Sequence, residues 1–445
     1  MVKVITYGTY DLLHYGHIRL LERAKELGDY LIVGVTADGF DQARGKINVQ
    51  QSLMERIEAV KATGLADEII VEEYEGQKID DIRRLGVDIF TVGSDWVGHF
   101  DYLNEYCKVV YLDRTQGVSS SELRAEKREL RIGLVGESIL LNKFASECRF
   151  VNGVTVTGIC TQDDVILSNE LKKLPVTTDR IDKLFNFCDS VYIASHPTKH
   201  YEQVKASLLA GKHVLCESPI SITVDNYLEL LKLAKERGLQ LMDSLKTAYS
   251  TAYNRMLLLV KSGVIGDVKS VDSICTSLSD LERKEGKPTP HTWNSICAWG
   301  PTAMLPVFQL LGTDYNSKQI TSHIIEDNFD TFTKVAFVYP HAVASLKVGK
   351  GVKSEGELII SGTKGYVYVP APWWKTDYFE VRYENPANNK RYFYQLDGEG
   401  IRYEIVSFIK SINSGNSKMN YIPTNVSKQI IAVINDFYQR DIIIL

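Results

Sequence analysis

Short apolar runs bounded by glycine and polar turns alternate, along the first 245 residues, with stretches whose apolar positions recur every three or four residues. The first pattern predicts buried strands and the second amphipathic helices. The alternation starts afresh once. One series places strands at 3–7, 30–36, 68–71, 89–92 and 109–111, with helices at 18–27, 52–62 and 79–85. The next places strands at 131–136, 154–160, 190–194, 213–216 and 239–242, with helices at 201–210 and 224–237. Residues 119–130, charged and helix-prone, read as the last helix of the first series. Strands alternating with helices predict parallel sheets covered on both faces. Beyond about residue 265 the pattern changes. Segments 268–276, 334–348, 357–360, 366–369, 379–383 and 391–396 read as strands of an antiparallel sheet, followed by helices near 401–411 and 426–439. The predicted fold class is α/β: one α/β domain (1–128), then a second α/β domain (129–245) carrying an α+β half with an open antiparallel sheet (246–445).

A length of 445 residues accommodates about three domains. Hydrophobic residues at 44% and charged residues at 24% exclude a disordered or fibrous chain. A formal charge of −5 gives no electrostatic reason for a nucleic-acid or membrane-surface partner. No apolar run approaches bilayer length, and the first residues read as a strand rather than a signal peptide. Seven cysteines without a Cys-x-x-Cys pair suggest buried thiols in a reducing cytoplasm.

The densest chemistry follows the first strand, in Gly8-Thr9-Tyr10-Asp11-Leu12-Leu13-His14-Tyr15-Gly16-His17. A turn there sets two imidazoles near the amino end of the next helix, where backbone N–H groups and the helix dipole attract anions. Gly16 allows close approach, and both rings can donate hydrogen bonds to a polyphosphate. The string resembles the His-x-Gly-His nucleotidyltransferases, specifically the glycerol-3-phosphate cytidylyltransferase family. The similarity spans roughly residues 1–125. It includes Leu20-Leu21-Glu22-Arg23-Ala24-Lys25, Gly93-Ser94-Asp95-Trp96 and Arg114-Thr115-Gln116-Gly117-Val118-Ser119-Ser120.

The resemblance implies that a phosphomonoester oxygen attacks the α-phosphorus of CTP in line and pyrophosphate leaves. Such a transfer needs alignment, and cations or donors where negative charge builds. On this resemblance His14 and His17 stabilise the pentacoordinate α-phosphate, and Thr9, Tyr10, Asp11 and Gly16 line the substrate pocket. Lys46 neutralises phosphate charge, and Arg44 stands where the family often has a second lysine. Arg114, Thr115, Ser119 and Ser120 hold the triphosphate at another helix start. Asp11 and Asp95, the latter beside Trp96, are candidates for magnesium, ribose or histidine orientation. Magnesium comes with CTP and keeps several waters, so no protein ligand set is assigned. Plainer roles stay open: Lys46 and Arg44 as solvated loop charges, Ser119 and Ser120 as helix caps, Asp95-Trp96 as a turn beside a packed aromatic. One departure stands out. The family's Arg-Tyr-Val-Asp-Glu-Val is Gly64-Leu65-Ala66-Asp67-Glu68-Ile69 here, with Lys61 the nearby cation. If the missing arginine holds the acceptor phosphate, the acceptor shifts from glycerol 3-phosphate towards a longer polyol or ketose phosphate.

From about residue 130 the chain resembles the glucose–fructose oxidoreductase and inositol dehydrogenase family. The resemblance rests on Tyr192-Ile193-Ala194-Ser195-His196-Pro197-Thr198-Lys199-His200-Tyr201, on Ala210-Gly211-Lys212-His213-Val214-Leu215-Cys216-Glu217-Ser218-Pro219-Ile220, on Gly263-Val264-Ile265-Gly266-Asp267-Val268, and on Ser361-Gly362-Thr363-Lys364-Gly365. The two resemblances imply an N-terminal Rossmann-like nucleotidyltransferase domain followed by a dinucleotide-binding-type Rossmann domain with a C-terminal α+β open antiparallel sheet, but the chemistry of the second region is eroded. The Gly-x-Gly-x-x-Gly fingerprint that lets a backbone approach a pyrophosphate is reduced to Gly136-Glu137-Ser138-Ile139-Leu140-Leu141. The family's Glu-Lys-Pro lysine is Ser218, and its Asp-x-Gly-x-His falls on Ala298-Trp299-Gly300-Pro301-Thr302. Proton transfer at a carbinol needs a titratable group in reach; His196, His200, His291 and Lys246 are the residues left to supply one. Gly136 and Glu217 are the positions at which a dinucleotide would still be held. Trp373-Trp374 reads as core or interface.

The expected protein is therefore a cytoplasmic CTP-dependent cytidylyltransferase making a CDP-activated polyol or sugar for surface polysaccharide. Its partners are CTP, Mg²⁺ and a small phosphomonoester, with no nucleic acid and no membrane. The second region is expected to be redox-silent, without NAD(P) turnover, and to assemble a dimer or tetramer. Two alternatives are a bifunctional enzyme that also reduces a ketose or polyol derivative with NAD(P)H, and a non-catalytic nucleotide-binding scaffold.

Overall fold

A computed structural model describes the chain apart from residues 39, 41–48, 50, 75, 114–129, 152, 163–166, 175, 279–292, 327–328, 376, 395, 397 and 415–420. Two compact units emerge: residues 1–129 with 151–153, and residues 130–150 with 154–445.

The first unit is a five-stranded parallel sheet. Its elements are β1 (Lys3–Gly8), α1 (Tyr15–Glu26), β2 (Tyr30–Thr36), α2 (Leu53–Ala62), β3 (Glu68–Glu72), α3 (Gln77–Leu85), β4 (Ile89–Gly93) and β5 (Lys108–Leu112). Side chains alternate across a strand, so β1 feeds two cores. Ile5 and Tyr7 pack with Ile32, Phe90, Ile82 and Phe100 on one face. Val4 packs with Leu21, Ala24, Val33 and Val60 on the other. The strand order β3-β2-β1-β4-β5 reverses between β1 and β4. In such sheets ligands bind at the carboxyl ends of the strands, at that reversal.

The second unit opens with β6 (Leu130–Val135), α4 (Leu140–Cys148), β7 (Val154–Cys160), β8 (Val176–Thr178), α5 (Ile181–Leu184), β9 (Ser190–Ile193), α6 (Pro197–Leu209), β10 (His213–Glu217), α7 (Val224–Glu236) and β11 (Leu241–Ser244). They form a parallel sheet of order β11-β10-β9-β6-β7-β8. Then come α8 (Thr251–Lys261), β12 (Val268–Thr276), α9 (Ser295–Leu311), β13 (Ser317–Glu326), β14 (Phe329–Val338), β15 (Val343–Gly349), β16 (Leu358–Gly362), β17 (Tyr366–Val369), β18 (Tyr378–Arg382), β19 (Lys390–Phe393), α10 (Ile401–Ser414), α11 (Thr424–Tyr438) and β20 (Ile443–Ile444). The nine-stranded sheet is mostly antiparallel, with parallel pairs β12–β15 and β13–β20. The predicted strand 334–348 is two strands, β14 and β15, paired antiparallel from Val338↔Val343. Helix α9 was not predicted. Twelve of its residues are buried, and a helix apolar on every side carries no amphipathic period. The predicted helix 119–130 falls almost wholly outside the described residues. Six of the seven cysteines are buried free thiols, and Cys107 is half-buried. Among the described residues no helix is long and apolar enough to cross a membrane.

Candidate active site

The loop after β1 takes a conformation that side chains resist. Tyr10 (φ 53°) and Leu12 (φ 48°) both lie in the left-handed region, a strain of order 1–3 kcal/mol each that the surroundings must hold. Three contacts hold it. The Tyr10 ring is buried against Gly8, where an added Cβ would come within 3.0 Å of Tyr10 Cζ. The fully buried Asp11 accepts a 3.0 Å hydrogen bond from the Gln51 N–H, and Gln51 Oε1 accepts one of 2.8 Å from the Leu12 N–H. The fully buried Arg56 donates to the carbonyls of Thr9 (2.6 Å), Thr36 (2.8 Å) and Gln51 (3.2 Å) and pairs with Asp38. Arg56 is carried by α2, whose start is fixed by a Ser52–Glu55 capping box.

The loop delivers His14 as the N-cap of α1, and His14 Nδ1 accepts from the Gly16 N–H at 3.1 Å. With Nδ1 occupied as an acceptor, the ring proton of a neutral His14 sits on Nε2. His17, one turn on, stacks against His14 with ring centroids 4.0 Å apart and planes 24° apart. It also meets the Tyr10 ring edge-on, with centroids 5.5 Å apart. Two imidazoles thus share the positive end of a twelve-residue helix, where an anion is favoured by the dipole and the unbonded N–H groups.

The Ser94–Trp96 turn follows β4 directly, so it lies across the strand reversal from the histidine loop. Trp96 packs on Phe100 and His99. Nothing is described of the Asp95 side chain. Arg44, Lys46, Arg114, Thr115, Ser119 and Ser120 lie outside the described residues. Lys61 does not reach this edge. Helix α2 runs antiparallel to the strands, so Lys61 and Gly64 lie at the amino edge of the sheet, where Asp67 N–H bonds to Leu31 O at the start of β2. Lys61 is exposed beside Glu58. Position 64 therefore stands on the sheet edge away from the histidine loop.

Sequence reasoning missed Gln51, Arg56 and a buried cluster beneath the carboxyl edge. There Lys78 pairs with the buried Glu72 and lies 4.7 Å from the Tyr7 ring centroid. Thr36 Oγ1 donates to Glu72 (2.9 Å), and Tyr7 Oη to Asp81 (2.9 Å). Burial, and then the charge of Asp81, raise the Tyr7 phenol so that it stays a donor. The available signal was position: Arg56 and Lys78 both fall on the apolar stripes of their helices, beside Ile57 and Val60 and beside Ile82 and Leu85.

In the second unit, Gly136 (φ 131°) is required by the fold itself, since a Cβ there would meet the Ala194 backbone at 2.5 Å. The following turn carries side chains where the Gly-x-Gly-x-x-Gly pattern has glycines. Glu137 is buried, with Oε1 3.3 Å from Lys199 Nζ and Oε2 lacking a hydrogen-bond partner among the described residues. Ser138 Oγ already accepts from the Leu140 N–H at the start of α4. Glu217 is bonded by Tyr192 Oη (2.5 Å) and Ser244 Oγ (3.0 Å). His200 is buried between the Pro219 and Ser195 carbonyls (2.8 and 2.9 Å), and burial lowers its pKa to about 4. His196 caps α6 through the Thr198 N–H. Ser218 is buried, and Thr302 lies within α9. His291 is outside the described residues. Lys246 Nζ is 3.4 Å from Glu399 Oε2.

Known proteins bear on both units. The family described as cytidylyltransferase-like matches residues 5–131, and the oxidoreductase family with an NAD-binding Rossmann fold matches residues 130–244. Glycerol-3-phosphate cytidylyltransferase of Bacillus spizizenii is 48% identical over 130 residues, 29% of this chain and 100% of that protein. The Staphylococcus aureus enzyme of the same name is 47% identical over 28% of this chain and 95% of its own. A crystal structure of KijD10, a 3-ketoreductase from Actinomadura kijaniata in complex with TDP-benzene and NADP, aligns with TM-score 0.60. It covers 71% of this chain and 99% of its own at 17% identity, a likeness of fold alone. With the histidine loop built as described, and a whole relative matched at nearly half its residues, the chain belongs to the cytidylyltransferase family through its first 130 residues: it is a CTP-dependent nucleotidyltransferase that carries an oxidoreductase-family region behind it.

Proposed function

We propose that the first unit transfers CMP from CTP to glycerol 3-phosphate or a longer polyol or ketose phosphate, supplying a CDP-activated precursor for surface polysaccharide. A phosphate oxygen of the acceptor bonds to the α-phosphorus as the bond to the bridging oxygen breaks, and pyrophosphate leaves with those electrons. The observation that carries the reading is the His14–His17 stack at the start of α1, on the strand reversal. Donors fixed there before reaction stabilise charge developing on the α-phosphate without reorganising. Arg56 and Gln51 act as positioning residues that hold the loop. Lys46, Arg44, Arg114, Thr115, Ser119 and Ser120 are proposed for the triphosphate, Asp95 and Trp96 for the nucleoside side, and the buried Asp11 for orienting the histidine loop. Among the described residues no group of three or more His, Cys, Asp or Glu could hold a metal; magnesium is proposed to arrive on the nucleotide phosphates with its waters. The name and full-length match of the Bacillus spizizenii relative support glycerol 3-phosphate as the first acceptor to try. Pyrophosphate release from CTP across a panel of phosphomonoesters tests this, and release with none of them overturns it.

We further infer that the second unit does not turn over NAD(P). Support comes from the buried Glu137 in the phosphate turn, from Ser218, and from Ala298 and Thr302 in place of ionisable groups. Assembly into a dimer or tetramer is its proposed role. Nicotinamide fluorescence tests the inference: tight NADPH binding with turnover on a ketose or CDP-ketose refutes it.

A further inference from the structure

We propose that Lys143, Lys246 and Lys375 form a second phosphate site, in the oxidoreductase-like unit, for the phosphate of a small polyol or sugar. The three come from distant stretches of chain: Lys143 from α4, Lys246 from just after β11, and Lys375 from between β17 and β18. Their ammonium nitrogens lie 3.3, 3.4 and 2.6 Å from one oxygen, Glu399 Oε2. Three ammoniums are thereby gathered around a single carboxylate oxygen.

The other acids nearby have partners of their own. Glu147 is taken by Arg402, its Oε2 2.9 Å from the guanidinium Nε. Glu217 and Glu404 each stand 3.0 Å from Ser244 Oγ. Burial raises both. Three lysines thus share Glu399 Oε2 in a partly dry site. Burial lowers Lys246 first of all, and Lys375 and Lys143 add to it; the three lysines overcome burial to hold Glu399 down to about 2. The side chains of Lys143, Lys246 and Lys375 remain 39%, 24% and 34% exposed, so an entering anion can reach them. A phosphomonoester, close to a dianion at neutral pH, offers these ammoniums several oxygens and would accept hydrogen bonds that Glu399 now shares three ways.

A second feature points to an organic phosphate. Trp374, adjacent to Lys375, meets Trp299 with ring centroids 4.8 Å apart, and both rings are half-buried. The Trp374 carbonyl accepts from Thr247 Oγ1 (3.2 Å), which ties this aromatic pair to the neighbour of Lys246. Indole faces beside ammonium groups suit a carbon skeleton or a base carrying phosphate.

The test uses the full chain and does not depend on turnover by the first unit. Thermal unfolding of the second unit is followed with inorganic phosphate, glycerol 3-phosphate or CDP-glycerol against sodium chloride at matched ionic strength. Phosphate compounds should raise its Tm in the wild type, and Lys246→Gln/Lys375→Gln should weaken that binding at least tenfold. Glu399→Gln removes the internal competitor and should tighten phosphate binding at least threefold, a gain that misfolding cannot imitate. Trp374→Phe should diminish a phosphate-induced change in tryptophan emission. A stronger response to glycerol 3-phosphate assigns a monoester, and a stronger response to CDP-glycerol assigns the diphosphate product. Equal Tm shifts in wild type, double variant and Glu399→Gln would overturn the proposal, as would no shift beyond that in chloride.

Discussion

Arg56→Lys keeps the charge of a guanidinium but not its fork. The native side chain serves four acceptors at once: the carbonyls of Thr9, Thr36 and Gln51 and the carboxylate of Asp38. A lysine ammonium is one compact charge on a flexible stem and can serve about two of them. Two buried acceptors that lose their donor cost about 1–3 kcal/mol each, so the first unit should lose roughly 2–6 kcal/mol. The larger consequence is kinetic. Thr9 directly precedes the strained pair Tyr10 and Leu12, and their left-handed conformations persist only while the loop is held. If the loop relaxes, His14 and His17 move with it, and a shift of about 1 Å in such a site costs on the order of 100-fold. Urea unfolding by circular dichroism and pyrophosphate release at saturating CTP read the two effects separately. The expected result is a lower unfolding midpoint for the first unit and a 10- to 100-fold fall in kcat, of the order given by misplacement. A variant with an unchanged midpoint and turnover within twofold of wild type would refute the assignment of Arg56 as the clasp of the catalytic loop.

His17→Ala should lower kcat by about 10² to 10⁴ with the fold intact by circular dichroism; a loss smaller than tenfold would remove the imidazole pair from the centre of the reaction. Ser218→Ala should leave cytidylyl transfer unchanged, and a large loss there would count against a redox-silent second unit. Asp330, fully buried, has its carboxyl pushed up from 3.8 to about 6 by burial, against the pull of the Thr333 hydroxyl and the Ile296 amide. Because the folded-state value exceeds the unfolded one, the stabilisation is complete below about pH 4 and is lost as pH rises through about 6, roughly 3 kcal/mol in all. Asp330→Asn should flatten the dependence of the second unit's Tm on pH between 4 and 6, and an unchanged slope would show that Asp330 does not titrate in that window.

Period and turn chemistry made all five strands of the first parallel sheet legible and all of the second but β8, which is three residues long, because each is decided within a few residues. Strand β2 is found at 30–36, as its apolar run requires. The same local logic missed α9, whose residues are apolar on every side, and merged β14 with β15, whose apolar runs continue either side of a short turn. The missing Gly-x-Gly-x-x-Gly glycines were visible as letters. That Glu137 is buried beside Lys199 was not, since the two are 62 residues apart.

The chain's residues alone determine the strand and helix periods and which side chains face each sheet, because side-chain alternation is a local property. Tertiary structure alone decided that Arg56 is a buried clasp rather than a helix-surface charge, and that Lys61 and Gly64 lie at the opposite edge of the sheet from His14. It alone gathered Lys143, Lys246 and Lys375 around Glu399. The burial and pairing of a charge depend on which distant segments close over it, and no periodicity along the chain encodes that.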